Sequence, residues 1–286
     1  MNFWVRLMTI DRRIIFLFVV IAVTIPLFLN ISQEIVVSTE VQTGFDAFSA
    51  LQPGARVLVA CDYDPPSSPE LQPMAVATFR YCLDHDLKFI IIGLWPQGPQ
   101  QANAAFETVL GYPISDTITY NGKTLIYGRD WVNLGFQAGN ELVIQRMGSS
   151  IPAAFPRDYR GTPLEDLPLM QGVQNFNNID FVMNISAGYP GVYEWVQFGV
   201  DRFGVRLVGG TTAVQAPLIY PYYGSGQLLG VLGGLKGAAE FEGLVGVSGK
   251  ATQFMLSQSF AHVIVILFII VGNVAYFVGG RKQKKT

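Results

Sequence analysis

Apolar residues follow three rhythms along this chain, and each rhythm predicts a different kind of element. At the two ends they form unbroken runs, Ile14 to Ile31 and Phe260 to Val278. At about 1.5 Å of rise per residue, each run can cross most or all of a hydrocarbon core about 30 Å thick. Just inside the first run, Val41, Phe45 and Phe48 recur at helical spacing. This predicts a short amphipathic stalk helix, started by Ser38 or Thr39 and stopped at Gln52-Pro53-Gly54. The chain then changes to short continuous apolar stretches, RVLVACD from Arg56 and KFIIIGLW from Lys88, with a helical pattern from Pro69 to Asp84 between them.

Strands buried on both faces do not alternate, so strand, helix, strand in this form reads as a parallel-sheet unit. The helix start is marked by Ser67 or Ser68 as N-cap, Pro69 in the first turn and Glu70 placed for a capping box. IDFVMNIS from Ile179, a helical stretch from Gly191 to Phe203 and VRLVG from Val205 repeat the unit. A further helix is expected from Gln97 to Leu110, and a strand with a helix between Leu125 and Arg146. The small residues Gly226, Gly230, Gly233, Gly234 and Gly237 read as a helix that another layer approaches closely. The expected fold class is α/β, a Rossmann-like, mostly parallel sheet with helices on both faces, flanked by an N-terminal and a C-terminal transmembrane helix. The chain thus divides into a cytoplasmic N-terminus (1–13), a transmembrane helix (14–31), an amphipathic stalk (32–54) and an extracytoplasmic α/β domain (55–250). A juxtamembrane connector (251–259), a second transmembrane helix (260–278) and a basic cytoplasmic tail (279–286) complete it.

Charge sets the orientation. Arg6, Arg12 and Arg13 precede the first run, and Arg281, Lys282, Lys284 and Lys285 follow the second. Lys and Arg close to a span are held on the cytoplasmic side, so both termini are expected in the cytoplasm, with the domain on the outer side of the cytoplasmic membrane. Pro26 and the ending LFLNIS, without a small-x-small cleavage site, point to an uncleaved anchor. Of the 19 basic residues, 12 lie between the runs together with 20 of the 21 acidic ones. So acidic a middle lacks the basic face that nucleic-acid binding needs. The partners expected are the lipid bilayer and either a membrane protein or further copies of this chain.

In open α/β sheets ligands sit outside the carboxyl ends of the strands. The first of those ends carries Asp62-Tyr63-Asp64, and later ones carry Ser186-Ala187-Gly188 and Thr211-Thr212. Asp62, Asp64, Ser186, Gly188, Thr211 and Thr212 are therefore the candidate ligand-binding residues. No cofactor is predicted, although the oxygens of Asp62 and Asp64 would suit a divalent cation such as Mg²⁺ or Ca²⁺. The segment Asp62-Tyr63-Asp64 resembles the opening motif of the haloacid-dehalogenase-like phosphotransferases. That resemblance implies a nucleophile at Asp62 and a general acid/base at Asp64. It stops there: Pro65 stands where the family has glycine, no Ser or Thr closes the next strand, and no paired acids follow a later one. The domain's one histidine, His85, falls on the opposite edge of the sheet, so no Ser-His or Cys-His pair assembles at the strand ends. Cys61 and Cys82 are expected to be buried free thiols. Tyr220, Tyr222 and Tyr223 with Gly230 and Gly234 form a candidate interaction surface, and the proline-rich loop from Pro152 to Pro168 a second. These features predict a non-catalytic component or scaffold of a membrane protein assembly. The alternative is a small-molecule receptor or enzyme with its site at the strand ends.

Overall fold

The computed structural model describes residues 10–28 and 35–283. Arg6, residues 29–31 of the first apolar run, residues 32–34 of the predicted stalk, and Lys284 and Lys285 lie outside the described residues. The chain divides into two compact units, residues 1–34 with 252–286, and Ile35–Ala251.

In the first unit the helix Arg12–Phe28 starts where Asp11 Oδ1 accepts the Arg13 N–H at 2.9 Å, and it contains Pro26. Its Phe18 ring stands edge-on to Phe268 of the C-terminal helix Lys250–Gln283, with centroids 6.1 Å apart. Among the described residues one helix is long and apolar enough to cross a membrane: Lys250–Val278, 29 residues of mean hydropathy 2.4.

The second unit has an α/β fold. Strands β1 (Arg56–Asp62), β2 (Lys88–Gly93), β5 (Trp131–Phe136), β6 (Phe181–Ser186), β7 (Leu207–Thr211) and β8 (Gly230–Gly233) form one parallel sheet in the order β5-β2-β1-β6-β7-β8. A separate antiparallel hairpin joins β3 (Thr117–Tyr120) to β4 (Lys123–Ile126). The winding reverses between β1 and β6, and in such sheets the ligand crevice opens at that reversal.

Helices α1 (Thr39–Ser49), α2 (Ser68–Asp84), α3 (Gly98–Leu110) and α7 (Gly234–Leu244) pack together on one side of the sheet. There Phe48 packs against Tyr81, Phe181 and Phe241, while Phe79, Phe89 and Phe106 form a neighbouring cluster. Helix α4 (Glu141–Ser149), the single turn α5 (Val192–Trp195) and α6 (Ala216–Gly224) accompany the second core, which holds Leu58, Ile90, Ile92, Val182 and Trp195. Helix α5 continues through a π-turn, Val196–Val200.

Three local readings of the sequence are corrected. The stretch from Gly226 to Gly237 is not one helix: a turn leads into β8, and α7 begins only at Gly234. Close approach is nonetheless what the glycines provide, because a Cβ on Gly230 would lie 2.3 Å from Gly44 Cα of α1. Ser38 does not cap α1 with its side chain; its N–H and hydroxyl both donate to Glu240 Oε2 of α7, at 3.1 and 2.6 Å. Glu70 forms no capping box, since its Oε2 accepts the distant Ala213 N–H at 2.7 Å. The hairpin β3–β4 was not anticipated at all.

Candidate functional site at the strand carboxyl ends

The last residues of three adjacent strands fall in register: Asp62 lies opposite Ser186, and Ser186 opposite Thr211. Asn184, two residues before Ser186, belongs to the same face because side chains alternate along a strand. All four are completely buried. The apolar flanks that make these strands fold into the sheet centre thus carry a polar row into the interior.

Asp62 holds the middle of that row. Its Oδ1 accepts the Leu94 N–H at 2.5 Å and its Oδ2 accepts Asn184 Nδ2 at 2.9 Å. Burial pushes its pKa up to about 7, against the opposing pull of the Leu94 and Asn184 donors and, more weakly, of Trp95 and Trp195. A carboxyl removed from water without a cation favours its neutral form. Burial likewise holds the adjacent Cys61 thiol well above its ordinary range. Cys61 and Cys82 are both free and buried.

Around this row the chain's own oxygens take up the N–H groups of the strand-to-helix turns. Asp64 Oδ1 accepts from Ser67 N at 3.3 Å and from Ser67 Oγ at 2.8 Å. Ser186 Oγ accepts the Val192 N–H at 3.1 Å, and Glu194 Oε2 accepts the Gly191 N–H at 2.7 Å. Glu70 does the same for Ala213 after β7. Gly191 has to be glycine here, since a Cβ would lie 2.6 Å from Ser186 Oγ and 2.2 Å from the Gly188 carbonyl. Gly188 faces the Trp95 ring, whose Nε1 donates to the Pro190 carbonyl at 3.1 Å.

The structure therefore brings together Asp62, Ser186 and Thr211, with Gly188 at their margin. Asp64 turns away to cap the Pro65–Ser67 turn, and the Thr212 carbonyl accepts from the Gln215 and Ala216 N–H groups. Among the described residues no group of three or more His, Cys, Asp or Glu side chains is placed to hold a metal ion. The tyrosines near the proposed interaction surface lie on α6 and point apart: Tyr223 reaches Thr43 of α1 at 3.0 Å, Tyr222 packs edge-on to Tyr193, and Tyr220 is partly exposed. Gly230 is buried against α1, and Gly234 adopts φ +59° where a Cβ would meet Ala213.

Sequence reasoning passed over Asn184, Glu194 and Trp195. The signal for Asn184 was present, as a lone amide inside the apolar strand FVMNIS. Asn184 Oδ1, Trp195 Nε1 and Thr211 Oγ1 are buried without a hydrogen-bond partner, three of the four such side-chain atoms among the described residues. Comparison with known proteins adds no relative: no family model, no curated protein and no solved structure matches the chain.

Proposed function

We propose that the chain is a membrane-anchored, non-catalytic component of a membrane protein assembly, with its α/β domain as the partner-binding module. The observation that carries this reading is how the strand carboxyl ends are occupied. Where a Rossmann-like sheet offers turn N–H groups to a ligand's phosphates, Asp62, Asp64, Glu70, Ser186 and Glu194 of this chain already accept them. The same edge is rimmed by exposed apolar side chains, Leu142, Tyr189, Val214 and Leu218, of which Val214 is 86% and Leu218 68% exposed. These side chains are the ones a partner seated on that edge would cover.

Anchoring is proposed as two spans with both termini cytoplasmic. The two terminal apolar runs, their basic outer flanks and the exposed Phe16, Phe28, Ile269 and Tyr276 of their helices support it. Purification of the whole chain in mild detergent should yield a complex larger than the chain and its micelle. Val214→Asp with Leu218→Asp should shrink that complex without lowering the melting temperature; a complex of unchanged size would remove this edge from the interface.

A second reading, a small-molecule or cation receptor at the same edge, is favoured by the unpartnered Asn184 Oδ1 and Thr211 Oγ1. It requires a ligand or a divalent cation that raises the melting temperature of the wild type but not of Asp62→Asn with Asp64→Asn.

A further inference from the structure

Helices α2, α3 and α7 end at the edge of the sheet where the strands begin, away from the strand carboxyl ends. Between their last turns and the hairpin β3–β4 lies a cleft of about 460 Å³, whose lining includes Arg80 and Asp84 of α2, Leu110 of α3, Tyr120 and Asn121 of the hairpin and Val247 just after α7. That volume falls within the range of about 300–1,000 Å³ usual for small-ligand pockets. The hairpin has little apolar reason to stand there, since Ile118 is its buried residue. Polar contacts hold it instead. Tyr120 Oη donates to Asp84 Oδ1 at 2.8 Å, and Lys123 Nζ pairs with the two oxygens of Asp86 at 2.6 and 2.8 Å.

Two opposite charges line this cleft without meeting. Arg80 and Asp84 are one helical turn apart on α2, a spacing at which side chains reach each other, yet the two form no ion pair. Asn121 Nδ2 joins Tyr120 on Asp84 Oδ1, at 3.4 Å, so the carboxyl is held toward the hairpin and its Oδ2 accepts from no described residue. The half-buried Arg80 makes no side-chain hydrogen bond or ion pair among the described residues. Asp84 is also the last residue of α2, and the ends of α3 and α7 contribute to the same lining. A helix C-terminus is the negative end of its dipole. The carboxylate is thus kept where its own helix disfavours it.

A lone anion drawn to Arg80 would meet Asp84 and three negative helix ends, and a lone cation drawn to those would meet Arg80. A molecule that carries both charges satisfies both. The geometry points to a zwitterion-binding cleft between the hairpin and the ends of α2, α3 and α7, taking a small molecule with an ammonium and a carboxylate or phosphate a few bonds apart. The ammonium lies on Asp84 Oδ2 at the helix ends. The anionic oxygens lie on the Arg80 guanidinium, whose forked N–H donors match carboxylate and phosphate alike. Two sources offer this chemistry, a free amino acid and the phosphoethanolamine headgroup of a lipid. Neither charged residue belongs to the polar row at the strand carboxyl ends, so the cleft stands apart from the function proposed for that edge.

The test uses the full chain in detergent, titrated calorimetrically with glycine and with O-phosphoethanolamine. At least one should bind. Ethanolamine, acetate and inorganic phosphate, each with one kind of charge, should bind at least about tenfold more weakly, the scale of one lost charge-assisted hydrogen bond. Arg80→Gln and Asp84→Asn should each weaken the bound probe by a similar factor; Asp84→Asn keeps the oxygen that Tyr120 needs, and should it fail to fold, Arg80→Gln decides. The source is then read in nanodiscs of phosphatidylglycerol with and without phosphatidylethanolamine. Weaker probe binding in the presence of phosphatidylethanolamine identifies the lipid headgroup as the occupant, and equal binding identifies a free amino acid. Failure of both probes to bind, single-charge probes that bind as tightly, or an affinity unchanged in Arg80→Gln would each overturn the inference.

Discussion

Two residues carry most of the constraint at the strand ends, and they do so by opposite means. Gly98 admits nothing: a Cβ there would lie 1.8 Å from the Cys61 carbonyl oxygen. Backbone cannot yield as a side-chain tip can, so Gly98→Ala should cost at least the ~1–3 kcal/mol typical of overpacking, read as a lowered urea midpoint with an unchanged m-value. Asp62, in contrast, admits a proton. Its pKa rises from 3.8 to about 7 on folding, so the folded state binds the proton more tightly than the unfolded one. The resulting stabilisation is fully present below about pH 4, declines as pH rises toward 7, and is gone above it. Relative to Asp62→Asn, the wild type should lose about 1.4 kcal/mol of stability per pH unit across that window. Denaturation of both proteins at a series of pH values measures the difference; parallel curves would show that Asp62 titrates no differently when folded.

At the scale of elements, what the sequence made legible follows from burial. β1, β2, β6 and β7 are continuous apolar runs because both faces of the central sheet are covered; α2 is opened by Pro69, and α3 is framed by Pro99 and the left-handed Gly111. The hairpin β3–β4 escaped because it is largely exposed, Ile118 being its buried residue, and no core imposes a pattern on it. β8 escaped for another reason: small residues report that two layers touch, not whether the contact is made by a helix or a strand. Of the site, the end residues of β1, β6 and β7 were readable from position alone. Their closure by Glu70 and Glu194 was not, because it depends on loops whose course no local pattern encodes. The α1–β8 contact makes a directional prediction. Gly44→Ala would place its Cβ 3.0 Å from Gly230 Cα, whereas Gly230→Ala would come within 2.3 Å of Gly44 Cα. Both should lower the melting temperature, Gly230→Ala by more, and equal effects would mean that α1 shifts freely on the sheet.

For the whole molecule, location is the first question. If the domain faces outward as proposed, single cysteines in the 153–162 loop, with Cys61 and Cys82 replaced, should react with a membrane-impermeant thiol reagent in intact cells. Labelling that appears only after lysis would reverse the orientation. The clasp of Ser38 on Glu240 has a consequence of a different sort. It joins the first turn of the Ile35–Ala251 unit to its last helix, so the unit begins and ends in one place. Polypeptide with that property behaves as an insertion, removable without stretching what it was inserted into. Residues 35–251 produced alone should melt cooperatively near the temperature of the full chain, and an unfolded product would show that the terminal helices do more than hold it. A unit whose two ends meet in this way can be carried by a neighbouring segment without its own fold depending on that segment.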